Sequence, residues 1–112
     1  VKKMKKHKTI QECIEHYIRI KAIKSFYPTA IIKNVMDEVR IEDVIKECDQ
    51  WVKKGKLKRK YEIRCIECFH VINVYNEISE IPEHVECPMC AEEIETDTIN
   101  PLLLYEIVRE LT

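Results

Sequence analysis

Cys65-x-x-Cys68 and Cys87-x-x-Cys90 are two matched cysteine pairs with an 18-residue spacer between them. Two intervening residues let one tight turn aim both sulfurs at a single point. A second such turn, brought alongside by a hairpin-length connection, completes a tetrahedron. Soft thiolates suit Zn²⁺, and four protein ligands leave no open position. The pattern therefore points to a structural zinc held by Cys65, Cys68, Cys87 and Cys90, and not to a reaction centre. A redox pair or two disulfides are the alternatives for such cysteines. A thioredoxin-like role fits badly, because there are two pairs and neither opens an obvious helix after a strand.

The remaining chemistry-bearing residues have plainer expectations. His70 lies two residues after Cys68 and His84 three before Cys87, so each is expected to be solvated or hydrogen-bonded beside a complete Cys₄ set. Cys13 and Cys48 fall on apolar helix faces, where a free cysteine acts as a small hydrophobe. Nucleophilic catalysis would need a paired base and a cleft, and the sequence shows neither, so no catalytic residue is assigned. Gly55 is the only glycine, which rules out a Gly-rich phosphate loop. Trp51, beside Val52 at a helix end, reads as core.

At 112 residues the chain is one compact unit or two small subdomains. It has no run of about 18 apolar residues, so no membrane span is expected. The basic opening Val1-Lys2-Lys3-Met4-Lys5-Lys6-His7-Lys8 lacks the apolar stretch of a signal peptide. A start at Val rather than Met suggests a piece of a longer protein. Six cysteines, four in metal-type pairs, suit a reducing compartment such as the cytoplasm. The net charge of −1 conceals a strong polarity along the chain. Residues 1–24 carry +6, 25–52 carry −3, 53–64 carry +6 and 65–112 carry −10. A polyanion is expected to meet the first sixty-odd residues and to be repelled by the metal half.

Behind this chemistry stand the elements that position it. Thr9 caps a helix expected over 10–24, with Ile10, Cys13, Ile14, Tyr17 and Ile18 on one face. Pro28 ends that pattern and opens a shorter helix to about residue 36. A third helix over 41–54 carries Ile41, Val44, Ile45, Cys48 and Val52, and Gly55 stops it. Alternation at Tyr61, Ile63 and Cys65 marks a strand leading into the first cysteine turn, and 71–75 returns from it. Residues 84–86 approach the second turn, and Ile94 and Thr96 leave it. Asn100-Pro101 reads as the start of a last helix over 100–111, with Leu104, Ile107, Val108 and Leu111 as an apolar face free for interaction.

Three helices followed by a basic hairpin-like segment resemble a winged helix-turn-helix. Asp43-Val44-Ile45-Lys46-Glu47-Cys48-Asp49-Gln50-Trp51-Val52-Lys53-Lys54-Gly55-Lys56-Leu57 looks like the third helix of that family and its exit. Residues 61–96 resemble a zinc ribbon, with Cys87-Pro88-Met89-Cys90 close to its usual knuckle. Phe69 and Ala91 stand where ribbon knuckles often place glycine. Together these resemblances imply an α+β protein of the prokaryotic type that fuses the two folds. Residues 1–60 would be the winged-helix-like domain with a basic arm, and 61–112 the ribbon plus C-terminal helix. In a winged helix Lys53, Lys54, Lys56, Lys58, Arg59, Lys60 and Arg64 would lie along the wing, placed to touch phosphates. The plain alternative for that run is a solvated loop. An acidic third helix, with Glu42, Asp43, Glu47 and Asp49 exposed, is a poor probe for a DNA groove and suits protein docking. The expectation is a non-catalytic, zinc-stabilised recognition module, binding nucleic acid (DNA first) through backbone phosphates. The alternative is a protein-interaction adaptor or dimerisation module of a regulator. No small-molecule substrate is expected.

Overall fold

The computed structural model describes residues 6–109. Helix α1 (Ile10–Arg19) begins at Thr9, whose hydroxyl accepts from the Glu12 amide at 3.1 Å. The Glu12 carboxylate reaches back to accept from the Lys8 amide at 3.2 Å. Both bonds satisfy donors that a helix start leaves open. Cys13, Ile14 and Tyr17 form its buried face. The helix stops at Arg19, short of the expected residue 24, because the chain must turn into the two-residue strand β1 (Ser25–Phe26). Carbonyls orphaned by this early end find a partner far along the chain. The Arg109 guanidinium donates to Ile18 O, Ile20 O and Ile23 O at 2.7–2.8 Å.

Helix α2 (Pro28–Asn34) opens on proline, whose missing N–H has no role in a first turn. Val35 then forms a parallel bridge with His7, which ties the end of the basic opening to this helix. Residues 1–5 of that opening lie outside the described residues. Helix α3 (Ile41–Lys53) buries Val44 and Cys48 and places Glu42 and Asp43 in its first turn, where they oppose the helix dipole. Its end is a Schellman motif: Lys56 N–H bonds Trp51 O and Gly55 N–H bonds Val52 O, both at 3.0 Å. That motif needs a left-handed residue, and Gly55 supplies it at φ 77°.

Strands β2 (Leu57–Arg64) and β3 (Val71–Tyr75) pair antiparallel, Tyr61 opposite Tyr75. After a 3-10 turn at Ile78–Glu80, β4 (His84–Glu86) and β5 (Glu93–Glu95) form a separate two-stranded antiparallel sheet. The chain closes with β6 (Leu102–Ile107), and the larger sheet has the order β1, β6, β2, β3.

This last strand overturns two expectations. Residues 102–107 are a strand and not part of a helix, and Leu104 and Ile107 are buried (7 % and 6 % exposed) instead of offering a free apolar face. Val108 is half-buried, and Leu111 lies outside the described residues. The strand lies between β1 and β2, which pair its backbone on both edges, and its buried residues are Leu104, Tyr105 and Ile107. Over so short a run, helical spacing and continuous apolarity cannot be told apart. Tyr105 decides the matter energetically. It is fully buried, its ring stacks on Phe26 with centroids 5.9 Å apart, and its hydroxyl donates to Asp49 Oδ1 at 3.0 Å. Phe26 in turn meets Tyr17 edge-on at 5.2 Å. Aromatic pairs of this kind add about 0.5–1.5 kcal/mol beyond their buried area.

The chain forms two compact units, but not in series. The first takes the described residues up to Lys58 and resumes at Tyr105; the second is Arg59–Leu104. The second unit is therefore an insertion, left and re-entered within β2 and β6, where 1–60 followed by 61–112 was expected. The first core gathers Cys13, Ile14, Ile31, Val44, Cys48 and Tyr105, each 0 % exposed.

Arg109→Ala should lower the stability of the first unit by about 1–3 kcal/mol, since three carbonyls lose a charged donor. Urea unfolding followed by helical circular dichroism measures this, and an unchanged midpoint would show that water serves those carbonyls equally well.

Candidate metal centre

Two turns of identical construction carry the four cysteines. In the first, Phe69 N–H bonds Cys65 O at 3.0 Å and Cys65 N–H bonds His70 O at 2.8 Å. In the second, Ala91 N–H bonds Cys87 O at 2.8 Å and Cys87 N–H bonds Glu92 O at 3.0 Å. The residue after each pair is left-handed, with φ 62° at both Phe69 and Ala91. For a side-chain-bearing residue this costs roughly 1–2 kcal/mol. The absence of glycine has therefore not changed the turn. It has only made the turn more costly.

Those turns bring the Sγ atoms of Cys65, Cys68, Cys87 and Cys90 within 4.8 Å of one another. Cys65 lies 3.5 Å from Cys90, and Cys68 lies 3.6 Å from Cys87. Neither is a disulfide, whose sulfurs stand at about 2.05 Å. A tetrahedral ion with bonds of about 2.3 Å, the length for zinc and sulfur, separates its ligands by about 3.8 Å. The four sulfurs fit a four-coordinate metal ion. They are also dressed for negative charge. Glu67 N–H points at Cys65 Sγ from 3.4 Å, and the amides of His70, Met89 and Glu92 bond Cys68, Cys87 and Cys90. Each sulfur thus accepts from the amide two residues on.

Without a cation the four cannot all ionise. Burial pushes Cys87 up, but the amides of Cys90 and Met89, with the Cys68 and Cys90 thiols, outweigh it and bring it down to about 7. At Cys90 the Glu92 amide acts downward, and the Cys65 bond, burial and the other two thiols prevail, pushing it up to about 12. Cys68 is raised in the same way, its His70 amide outweighed by burial and by Cys87 and Cys65. A positive ion is what lets all four become thiolates.

Burial divides the ligands evenly. Cys65 and Cys87 are 1 % exposed and form a small cluster with Ile94, flanked by Ile72, Val85 and Ile99. Cys68 and Cys90 face solvent. His70 and His84 are exposed and do not join the cluster. Cys13 and Cys48 are buried in the first unit. Burial raises the Cys13 thiol, and burial with Asp49 and Glu47 pushes Cys48 up to about 12, which makes both inert at neutral pH.

The basic run is less uniform than its sequence. Lys53, Lys54, Lys56 and Lys58 are exposed in the first unit, with the Lys54 ammonium 4.8 Å above the Trp51 ring. Arg59, Lys60 and Arg64 are half-buried; Lys60 bonds Asn76, and Arg64 pairs with Glu62. The fold adds three cations that the run did not include. Lys21, Lys24 and Arg109 join Lys58 around a groove of about 500 Å³ that also contains Glu106. No spacing signal connects residues 21, 58 and 109, so only the sheet could assemble them. Counted on the sequence, residues 1–58 and 105–112 hold sixteen basic and ten acidic side chains, and residues 59–104 hold three and ten. The units thus carry +6 and −7. Among the described residues no helix is long and apolar enough to cross a membrane.

Chelation should unfold the second unit and leave the helices of the first, read as lost near-ultraviolet signal with helical circular dichroism retained. Cys68→Ser should release the ion, and metal affinity should fall as pH falls, because protons compete for the thiolates. Full retention of metal after Cys68→Ser would exclude four-cysteine ligation. No family model, curated protein or solved structure matches this chain.

Proposed function

We propose that this chain is a non-catalytic recognition module: a winged helix with a zinc ribbon inserted in its wing, binding nucleic acid through backbone phosphates. The observation that carries this is the assembly of Lys21, Lys24, Lys58 and Arg109 around one groove of the first unit, continuous in sequence with exposed Lys53, Lys54 and Lys56. Cations collected from three distant segments form a surface, where a single run would form only a solvated loop.

Several features support the architecture. Three helices precede β2, and β6 takes its place beside both β1 and β2 as a second wing strand would. The ribbon then replaces the tip of that wing. Zinc is the ion of choice for four thiolates in a tetrahedral set with no open position. With every ligand supplied by protein, the centre is structural.

Contact through phosphates follows from where the charges lie. The start of α3 presents Glu42 and Asp43 to solvent, with Glu47 half-buried, which opposes entry into a groove lined by phosphates. Lysines on the loop before β1 and at the start of β2 have no such handicap. Binding of this kind supplies affinity with little base discrimination, and it weakens steeply with salt.

A gel-shift series with duplex DNA of arbitrary sequence, run from about 50 to 200 mM salt, tests the proposal. Wild-type protein should bind at the low end. Lys56→Ala with Lys58→Ala should weaken binding for all sequences and reduce the slope of log K against log salt by about 0.9 for each phosphate no longer neutralised. No shift at the lowest salt would sink it.

A further inference from the structure

Phe69 combines two properties that folding by itself disfavours. It is held left-handed at φ 62°, and the residue is 71 % exposed. Glycine would suit the backbone there and would leave no aromatic surface in water. Strain and exposure together at one side chain point away from stability and toward contact.

Its neighbours share the exposure. Ile66, in the same turn, is 51 % exposed, and Met89, in the other, is 65 % exposed. Because all four sulfurs lie within 4.8 Å, the two turns stand side by side, and all three exposed apolar side chains belong to them. A large aromatic ring beside an adaptable thioether is the kind of pair that anchors an interface.

Charge identifies the occupant. Exposed Glu67 lies inside the first turn and exposed Glu92 directly follows the second. Residues 65–104 contain nine carboxylates and not one lysine or arginine, and the adjacent cation, Arg64, whose guanidinium lies 3.5 Å from Phe69 O, is paired with Glu62. Nucleic acid is repelled from such a surface, and so is another copy of the same unit. A cationic chain is attracted, and an apolar side chain within it is what the exposed ring requires.

We propose that Ile66, Phe69 and Met89, rimmed by Glu67 and Glu92, form a docking surface for a basic segment of a partner protein that carries an apolar anchor. This goes beyond nucleic-acid binding by the first unit and does not depend on it. The chain would then join a polyanion on one unit to a cationic protein segment on the other.

The test uses the full metal-loaded chain and two labelled peptides of equal charge, one alternating lysine with leucine and one alternating lysine with serine. Fluorescence anisotropy near physiological salt should show the leucine peptide bound at least about tenfold more tightly. Phe69→Gly should weaken that binding by about tenfold. The same substitution relieves the backbone, so metal content and thermal midpoint should hold or rise. Met89→Gln, which leaves the turn geometry alone, should act in the same direction and guards against a folding defect in the first variant. Equal binding of both peptides would show charge attraction only, and binding of neither would remove the surface; either overturns the proposal. Unchanged binding by Phe69→Gly overturns it as well. Loss of concentration-dependent self-association in that variant, seen by sedimentation, would make the occupant a second copy and overturn it too. Duplex DNA binding should be the same in all these variants, so failure here is distinct from failure of the nucleic-acid proposal.

Discussion

Between residues 59 and 104 most apolar side chains stay at least partly exposed, and convergence of four sulfurs on one point supplies a tie that burial does not. Ile63 and Leu104 are buried within the larger sheet, and the cluster at the cysteine turns consists of Cys65, Cys87 and Ile94, with Ile72, Val85 and Ile99 packed around them. Two of the three buried residues in that cluster are candidate metal ligands. A unit of this size cannot rely on burial, and a bound ion links its parts with far fewer residues. The duplicated turns, the amides aimed at each sulfur and the left-handed residues at 69 and 91 all serve that convergence. Remove it and little else holds β4 and β5 to the first turn.

The first unit is built on the opposite principle. A continuous apolar and aromatic core runs from Cys13 and Ile14 through Tyr17 and Phe26 to Tyr105. Here the C-terminal strand is the closing piece. It carries the ring that stacks on Phe26, and just beyond it Arg109 secures the carbonyls at the end of α1. Insertion of the second unit between β2 and β6 is tolerated because the strand pair that receives it is anchored elsewhere, by β1 and by helix packing.

Division of charge follows division of structure. The unit with the continuous core is cationic and the one with the cysteine cluster is anionic, +6 against −7. Opposite fields on the two units would attract partners of opposite charge, which is the basis on which both proposals rest. Exposed apolar side chains at the cysteine turns lie in this acidic field, and a hydrophobic patch so placed would discriminate by charge before it makes contact.

Local patterns reported faithfully wherever one residue type or one period had a single physical meaning. The cysteine spacing led to the sulfur cluster because two-residue gaps leave few other geometries. Thr9, Pro28 and Gly55 marked helix ends because capping and left-handed turns are short-range effects. Tyr61, Ile63 and Cys65 alternated with polar residues, as a strand leading into the first cysteine turn does. By contrast, Leu102–Ile107 was ambiguous, and a central place between β1 and β2 made it a strand although its spacing suited a helix. The interruption of one unit by the other, and the meeting of Lys21, Lys58 and Arg109, left no local trace. Pairing between strands distant along the chain depends on the energy of the whole sheet, and no window of neighbouring residues contains it.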